Sequence, residues 1–206
     1  MAIIGQVAHI QAYSDDGPRA NPHLSDRERD CYDNWILLCS THHLIVDAQP
    51  NTYTAHHLRT WKRDHEEWVE EALRNSMQNV TFTELDIITR AIIQADPQDT
   101  EQDLTLTPPT EKLKRNELSS RVGSYIRMGL IRSPLVQRFL SQMSQLVPDF
   151  PERLKNGFIT EYNRQRDELR LHGDELFVGL VEFAAGYSKE FVQQAAGLAV
   201  LTYLFV

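Results

Sequence analysis

The feature that most constrains this chain is ADPQDTEQDLTLTPPTE at residues 95–111. Pro97, Pro108 and Pro109 stand there among acidic residues and threonines with no apolar period. Proline removes a backbone donor and clashes inside a helix, so neither a long helix nor a central strand crosses such a stretch. The chain is therefore expected to fold as two bodies: residues 1–75, then a connecting helix and linker over 76–110, then residues 111–206. With 206 residues, 41% of them hydrophobic, both bodies have material for a core.

The front body reads as strand, excursion, strand, helix. IIGQVAHIQA is apolar enough for a strand and DDGPR is a turn. Ser25 followed by Glu28 has the capping-box spacing and starts a short helix through DRERDCYD. NWILLC suits a second strand and HHLIVD a helix start. Thr54 caps a longer helix in which Leu58, Trp61, His65, Trp68 and Ala72 share one face, with Trp61 and Trp68 expected in the core.

The rear body is read as all helical. KLKRNELSSRVGSYIRMGLI comes first, and Ser133 is the expected N-cap of the next helix with Pro134 at its first position. PERLKNGFITEYNRQRDELRL follows, closed by Gly173, then a helix capped by Asp174 and one starting near Ser188. The ten-residue run GLAVLTYLFV is too short to span a bilayer and reads as a buried helix. The fold class is α+β, with a small mixed domain ahead of a helical one.

A net charge of −8 excludes nucleic-acid binding by bulk electrostatics, so such a ligand needs a local patch, a metal or a partner. Two cysteines, Cys31 and Cys39, are too few for a disulfide framework and point to a reducing cytoplasm. No membrane segment is expected.

Histidine is the side chain most suited to metal ligation and proton transfer near neutral pH. Seven of the eight histidines precede residue 66. His43 and Asp47, four apart, lie on one face of a helix and suit two ligands to one ion, while His9 late in the first strand can project toward it. Hydrolysis of a phosphodiester needs this set: a base, a divalent cation such as Mg²⁺, and a rigid frame. His42, His56, His57 and His65 are taken individually as surface residues. Arg59, Lys62 and Arg63, followed at once by Asp64, Glu66 and Glu67, are taken as a solvated helix face, and Cys39 as either a small buried residue or a ligand.

VAHIQAYSDDGPR, then N-W-I-L-L-C-x-x-H-H-x-x-x-D, then QPNTYT and LRTWKRDHE, together resemble the HNH endonucleases of the ββα-metal fold, in the bacterial group with an "AHI" first motif. The resemblance covers roughly residues 4 to 70 and implies DNA cleavage. It implies His9 as general base, Asn34 as the residue fixing the loop that aims it, and His43 as metal ligand, with Asp47 a weaker second ligand. Two positions depart from the pattern. Ala8 stands where many members place a further ligand, and the cysteine pair that completes a structural zinc site with the Cys39 and His42 positions is not among the eight residues before His9. Zinc is accordingly expected to be lost or loosely held by Cys39 and His42, unless the sequence starts late.

Further on, LTPPTEKLKRNELS, GDELFVGLVEFA and AAGLAVLTYLF resemble the C-terminal modules of effectors in ABC-ATPase three-component, Lamassu-like antiphage systems. That likeness implies docking on an SMC-like ATPase complex. Apolar helix faces also allow a homo-oligomer, and Leu176, Phe177, Leu180 and Phe183 form the suspected partner face, with Phe177 and Leu180 its centre. The alternative from another class is a catalytically degenerate HNH protein serving only in assembly.

Overall fold

The structure is a computed structural model and describes residues 5–93 and 118–205. The expected linker at 95–111 lies outside the described residues. The chain divides into two compact units, Met1–Glu70 and Glu71–Val206.

In the first unit, β1 (Gly5–His9) pairs antiparallel with β2 (Trp35–Cys39), in a register running from Gly5 opposite Cys39 to His9 opposite Trp35. Ala8 and Ile36 meet across the ladder and are buried, whereas Val7 and Leu37 meet on the other face and are exposed. This is the period-two pattern of a sheet with one covered face. Between the strands, the capping box at Ser25 and Glu28 forms and starts α1 (Asp26–Arg29). The helix is shorter than the expected run through DRERDCYD. Asp30 leaves helical geometry, Cys31 is extended, and a 3-10 turn at Tyr32–Asn34 leads into β2.

β2 passes directly into α2 (Ser40–Ala48), and α3 (Ala55–Met77) follows, with the Thr54 hydroxyl accepting the His57 amide at 3.3 Å. Ala8, Ile10, Ile36, Val46 and Leu58 make the core, with Leu38, Tyr53 and Ala55 against it. The expected inner face of α3 is corrected at two positions. Leu58 is fully buried, but Trp61 is 44% and Trp68 57% exposed. The apolar period identified a stripe, and only the Leu58 edge of it meets the core.

The second unit is helical: α4 (Phe82–Ile93), α5 (Ser120–Leu130), α6 (Ser133–Leu146), α7 (Phe150–Asp167), α8 (Gly173–Ala184) and α9 (Phe191–Phe205). α9 is buried along Ala195–Thr202 and packs against α4, α5, α6 and α8, as expected of a helix apolar on every side. Two glycines permit its close crossings. A β-carbon at Gly129 on α5 would lie 2.9 Å from the Leu198 carbonyl and collide with the Thr202 hydroxyl, and one at Gly197 would lie 2.7 Å from the Ala184 and Ala185 backbone.

Two caps differ from expectation. Arg132, not Ser133, is the N-cap of α6, and its guanidinium binds the carbonyls of Met77, at 2.6 Å, and Gln78. α7 ends at Asp167, and the reversal uses Arg170 at φ 58°. Gly173 opens α8 rather than closing α7, with His172 as its N-cap and Asp174 in its first turn, where the carboxylate accepts the Ser119 amide at 2.8 Å. Among the described residues no helix is long and apolar enough to cross a membrane.

Candidate functional site

Asn34 organises the end of β1. Its side-chain oxygen accepts the Gln11 amide at 2.9 Å, and its side-chain nitrogen donates to the carbonyls of Gln11 at 2.7 Å and Arg29 at 2.8 Å. Its own carbonyl accepts the Ile10 amide at 2.7 Å. A buried carboxamide with donor and acceptor both used is a rigid staple, and this one fixes the chain that immediately follows His9. Arg29 extends the staple, donating to the Tyr13 carbonyl at 2.8 Å and to Asp15 at 2.7 Å.

His9 sits at the end of β1 with its ring 6.1 Å from that of Tyr13. Its Nε2 is shielded from solvent without a hydrogen-bond partner, and the nearest carboxylate oxygen, of Asp30, stands 3.7 Å away. Across the ladder, the Trp35 indole N–H is likewise buried and unpartnered. Two orphaned polar nitrogens sit on paired residues here, and each calls for a partner that the protein itself does not supply.

His43 and Asp47 come together on α2, as the four-residue spacing implied. His43 Nε2 is 3.3 Å from Asp47 Oδ2, and His43 Nδ1 is 3.2 Å from the Gln6 side-chain oxygen. The second Asp47 oxygen is held by Arg19 at 2.6 Å. Arg19 was not foreseen as a functional residue. Its guanidinium, on a side chain only 4% exposed, also donates to the carbonyls of Ile10 at 2.8 Å and Val46 at 2.6 Å. It therefore ties the loop after His9 to the end of the helix that carries His43, from a residue at φ 57°. The only sequence signal was the turn DDGPR.

The two histidine sets are not joined. Gln6 and Ala8 alternate to one face of β1 and His9 to the other, and no hydrogen bond or ion pair links His9 to His43. Among the described residues no group of three or more His, Cys, Asp and Glu is placed to hold a metal. The donor set at His43 is one imidazole, one carboxylate and the Gln6 amide oxygen. That fits an oxygen-preferring divalent ion completed by water, such as Mg²⁺ or Mn²⁺, once Gln6 or Asp47 yields a nitrogen of His43.

Cys39 and His42 also meet, Sγ to Nδ1 at 3.0 Å. Cys39 is exposed, so its reading as a small buried residue is corrected. The His42 backbone amide, and after it the His42 imidazole, hold the thiol below its ordinary range. Two ligands fall short of a tetrahedral zinc shell.

Sequence reasoning also underrated α3. Arg59 donates to the Gln11 side chain at 2.6 Å, and Lys62 reaches the Tyr32 carbonyl with its ammonium 3.7 Å above the Tyr32 ring. Both anchor α3 to the loops around His9, and only Arg63, paired with Asp64 and Glu67, stays on a solvated face. In the second unit, Phe177 is buried in the core and Leu180 half-buried beside it. Both line a cavity of about 300 Å³ together with Tyr162, Arg166 and Phe205. No family model matches this chain, and neither a curated protein nor a solved structure matches it.

Proposed function

We propose that the first unit is an HNH-type endonuclease that hydrolyses DNA phosphodiester bonds with a divalent cation, and that the whole chain is the effector of an antiphage complex with an SMC-like ABC ATPase. The observation that carries the nuclease reading is His9 at the end of β1, followed directly by the segment that buried Asn34 staples and left with an unpartnered Nε2. His9 takes the proton of the attacking water, and Asp30 at 3.7 Å stabilises the imidazolium that forms. Asn34 and Arg29 hold the backbone that follows His9, which helps keep its ring in place. His43, with Asp47 and Gln6, would hold the cation, and Arg19 fixes Asp47. An ion held there would supply positive charge to a phosphate within its reach, and because His9 and His43 lie on opposite faces of β1 both can serve one phosphate only after one of them moves. Docking through the helical unit rests on the C-terminal resemblance alone.

One observation favours the second reading, an assembly subunit without catalysis. Both ring nitrogens of His43 are occupied and Asp47 is shared with Arg19, so the ligands are engaged within the chain itself. The deciding experiment incubates supercoiled plasmid with the full chain, with and without the proposed SMC-like ATPase, in Mg²⁺ or Mn²⁺ and then in chelator. Metal-dependent nicking that His9→Ala abolishes supports the nuclease. Equal cleavage by His9→Ala removes His9 as the base, and no cleavage in any arm favours the degenerate reading.

A further inference from the structure

The imidazole of His43 is bracketed at both nitrogens. Asp47 Oδ2 stands 3.3 Å from its Nε2, and the Gln6 side-chain oxygen stands 3.2 Å from its Nδ1. A neutral imidazole has one N–H to give and one lone pair to receive. The two oxygens facing this ring are both acceptors, so only one of them can take the proton.

Charge decides which. A hydrogen bond to an ionised carboxylate is roughly twice as strong as one between neutral groups, so the proton belongs on Nε2, toward Asp47. Asp47 is itself fixed, because its other oxygen takes the Arg19 guanidinium at 2.6 Å. That guanidinium is tied to the carbonyls of Ile10 and Val46 and cannot leave cheaply. A cation placed on Asp47 would therefore share one carboxylate with a positive charge already buried there. On the other side of the ring, the Nδ1 lone pair faces the Gln6 carbonyl oxygen. Two electron-rich atoms in that relation are reconciled by a shared cation. Neighbouring ligands about 2.1 to 2.3 Å from an octahedral ion lie about 3.0 to 3.3 Å apart, and these two atoms have that spacing. Gln6 leaves β1 on the face that α2 packs against and is exposed, so its amide can adjust to an ion arriving from solvent.

We infer that the cation binds at the Nδ1 edge of His43 with the Gln6 oxygen as its second protein ligand, and that Asp47 and Arg19 are positioning residues that hold His43 in the Nε2–H tautomer. This deepens the cation site of the nuclease reading and rests on it for the presence of an ion. A carboxylate that takes the second N–H of a ligating histidine sets the tautomer and raises the basicity of the ligand. With Asp47 in that role, the protein donors are one imidazole nitrogen and one neutral oxygen, and water completes the shell. Such a set favours ions that accept imidazole, so Mn²⁺ should bind at least about tenfold more tightly than Mg²⁺.

The test needs no DNA. It uses the full chain carrying Cys39→Ser, so that the exposed thiol does not take the probe ion. Long-range ¹H–¹⁵N spectra, with His43→Ala to assign the signal, report which ring nitrogen carries the proton and which then takes Zn²⁺. The expected result is a proton on Nε2 before and after the metal, with the Zn²⁺-induced shift on Nδ1. Affinity for Mn²⁺ is read from the electron paramagnetic resonance of the free ion. Gln6→Ala should weaken it by about 5- to 20-fold, and Gln6→Glu, which adds charge to the ligand, should tighten it. Asp47→Asn should weaken it by roughly 10- to 100-fold while Zn²⁺ stays on Nδ1. Circular dichroism verifies the fold of each variant, and the ring spectra of the parent decide the ligand nitrogen even where a variant unfolds. A metal-free ring protonated on Nδ1, Zn²⁺ on Nε2, a Gln6→Ala chain that binds Mn²⁺ as tightly as the parent, or no ion at His43 each overturn the inference. Zn²⁺ on Nε2 in a chain that nicks plasmid overturns this inference and leaves the nuclease reading intact. Zn²⁺ on Nδ1 in a chain that cleaves nothing does the reverse.

Discussion

Replacing Arg19 tests whether one buried cation holds the first unit together. Its guanidinium donates to two backbone carbonyls, of Ile10 and Val46, and to Asp47. A hydrogen bond from a charged donor contributes about 1.5–3 kcal/mol, and Arg19→Ala removes this donor from both carbonyls. Asp47 is 35% exposed, so its share is screened and counts under about 1 kcal/mol. Arg19→Ala is therefore expected to cost about 3–5 kcal/mol, most of the stability of a domain this small. Arg19→Lys keeps the charge but not the planar fork, and should cost about 2–3 kcal/mol. Because the backbone is at φ 57°, Arg19→Gly should be less damaging than Arg19→Ala by about 1 kcal/mol. Hydrogen exchange on peptides from residues 5–70, with a thermal melt alongside, reads this directly. At 4–8 °C per kcal/mol, Arg19→Ala lowers the midpoint of the first unit by roughly 12 °C or more. An Arg19→Lys midpoint within about 4 °C of the parent, or Arg19→Gly melting below Arg19→Ala, would refute the reasoning.

Other outcomes follow from single contacts. Asn34→Ala leaves the amide and carbonyl of Gln11 and the carbonyl of Arg29 unpaired in a buried place, and should cost about 2–4 kcal/mol, measured by urea denaturation. Burial pushes the Glu161 carboxyl up, but hydrogen bonds from Arg164 and Gln165 outweigh it and hold it below the usual range. Its folded pKa is depressed, so the stability it contributes is present above the unfolded value near about 4.3 and is lost as pH falls through the folded one. Acid melts of Glu161→Gln should show a flatter loss of stability below that value than the parent. Gly129→Ala drives a methyl group into Thr202 and the Leu198 carbonyl, and should lower the second unit's midpoint by an amount equivalent to about 1–3 kcal/mol, whereas Gly129→Ala with Thr202→Ala recovers part of it.

Local signals were legible in the sequence because local rules govern them. The capping box at Ser25, the two strands and the apolar run of α9 follow from spacing and composition over a few residues. The placement of Asn34 beside the first-strand histidine was legible only through the likeness of VAHI and NWILLC to a known pattern, since the staple joins residues far apart in the chain. Arg19 was illegible for the same reason, and because a surface-type residue in a turn gives no hint of a buried guanidinium. The face of α3 failed differently. Period alone marks Leu58, Trp61, His65 and Trp68 as one stripe, but what covers a stripe is a tertiary fact, and here the tryptophans stay outside. Between α7 and α8 both Arg170, at φ 58°, and Gly173, at φ 52°, are left-handed, and because Arg170 reverses the chain first, the glycine stands at the start of α8 rather than at the end of α7.

The separation of β1 from β2 has a kinetic consequence. A tight hairpin zips from its turn, but these strands meet only after residues 10–34 have been gathered into a closed loop. Closing a flexible loop of about 25 residues costs on the order of 3 kcal/mol before any ladder bond compensates. The Ser25–Glu28 box and the Arg29 contacts to Tyr13 and Asp15 lie inside that loop and shorten the search by ordering part of it beforehand. Substitutions at Arg29 are thus expected to slow refolding of the first unit.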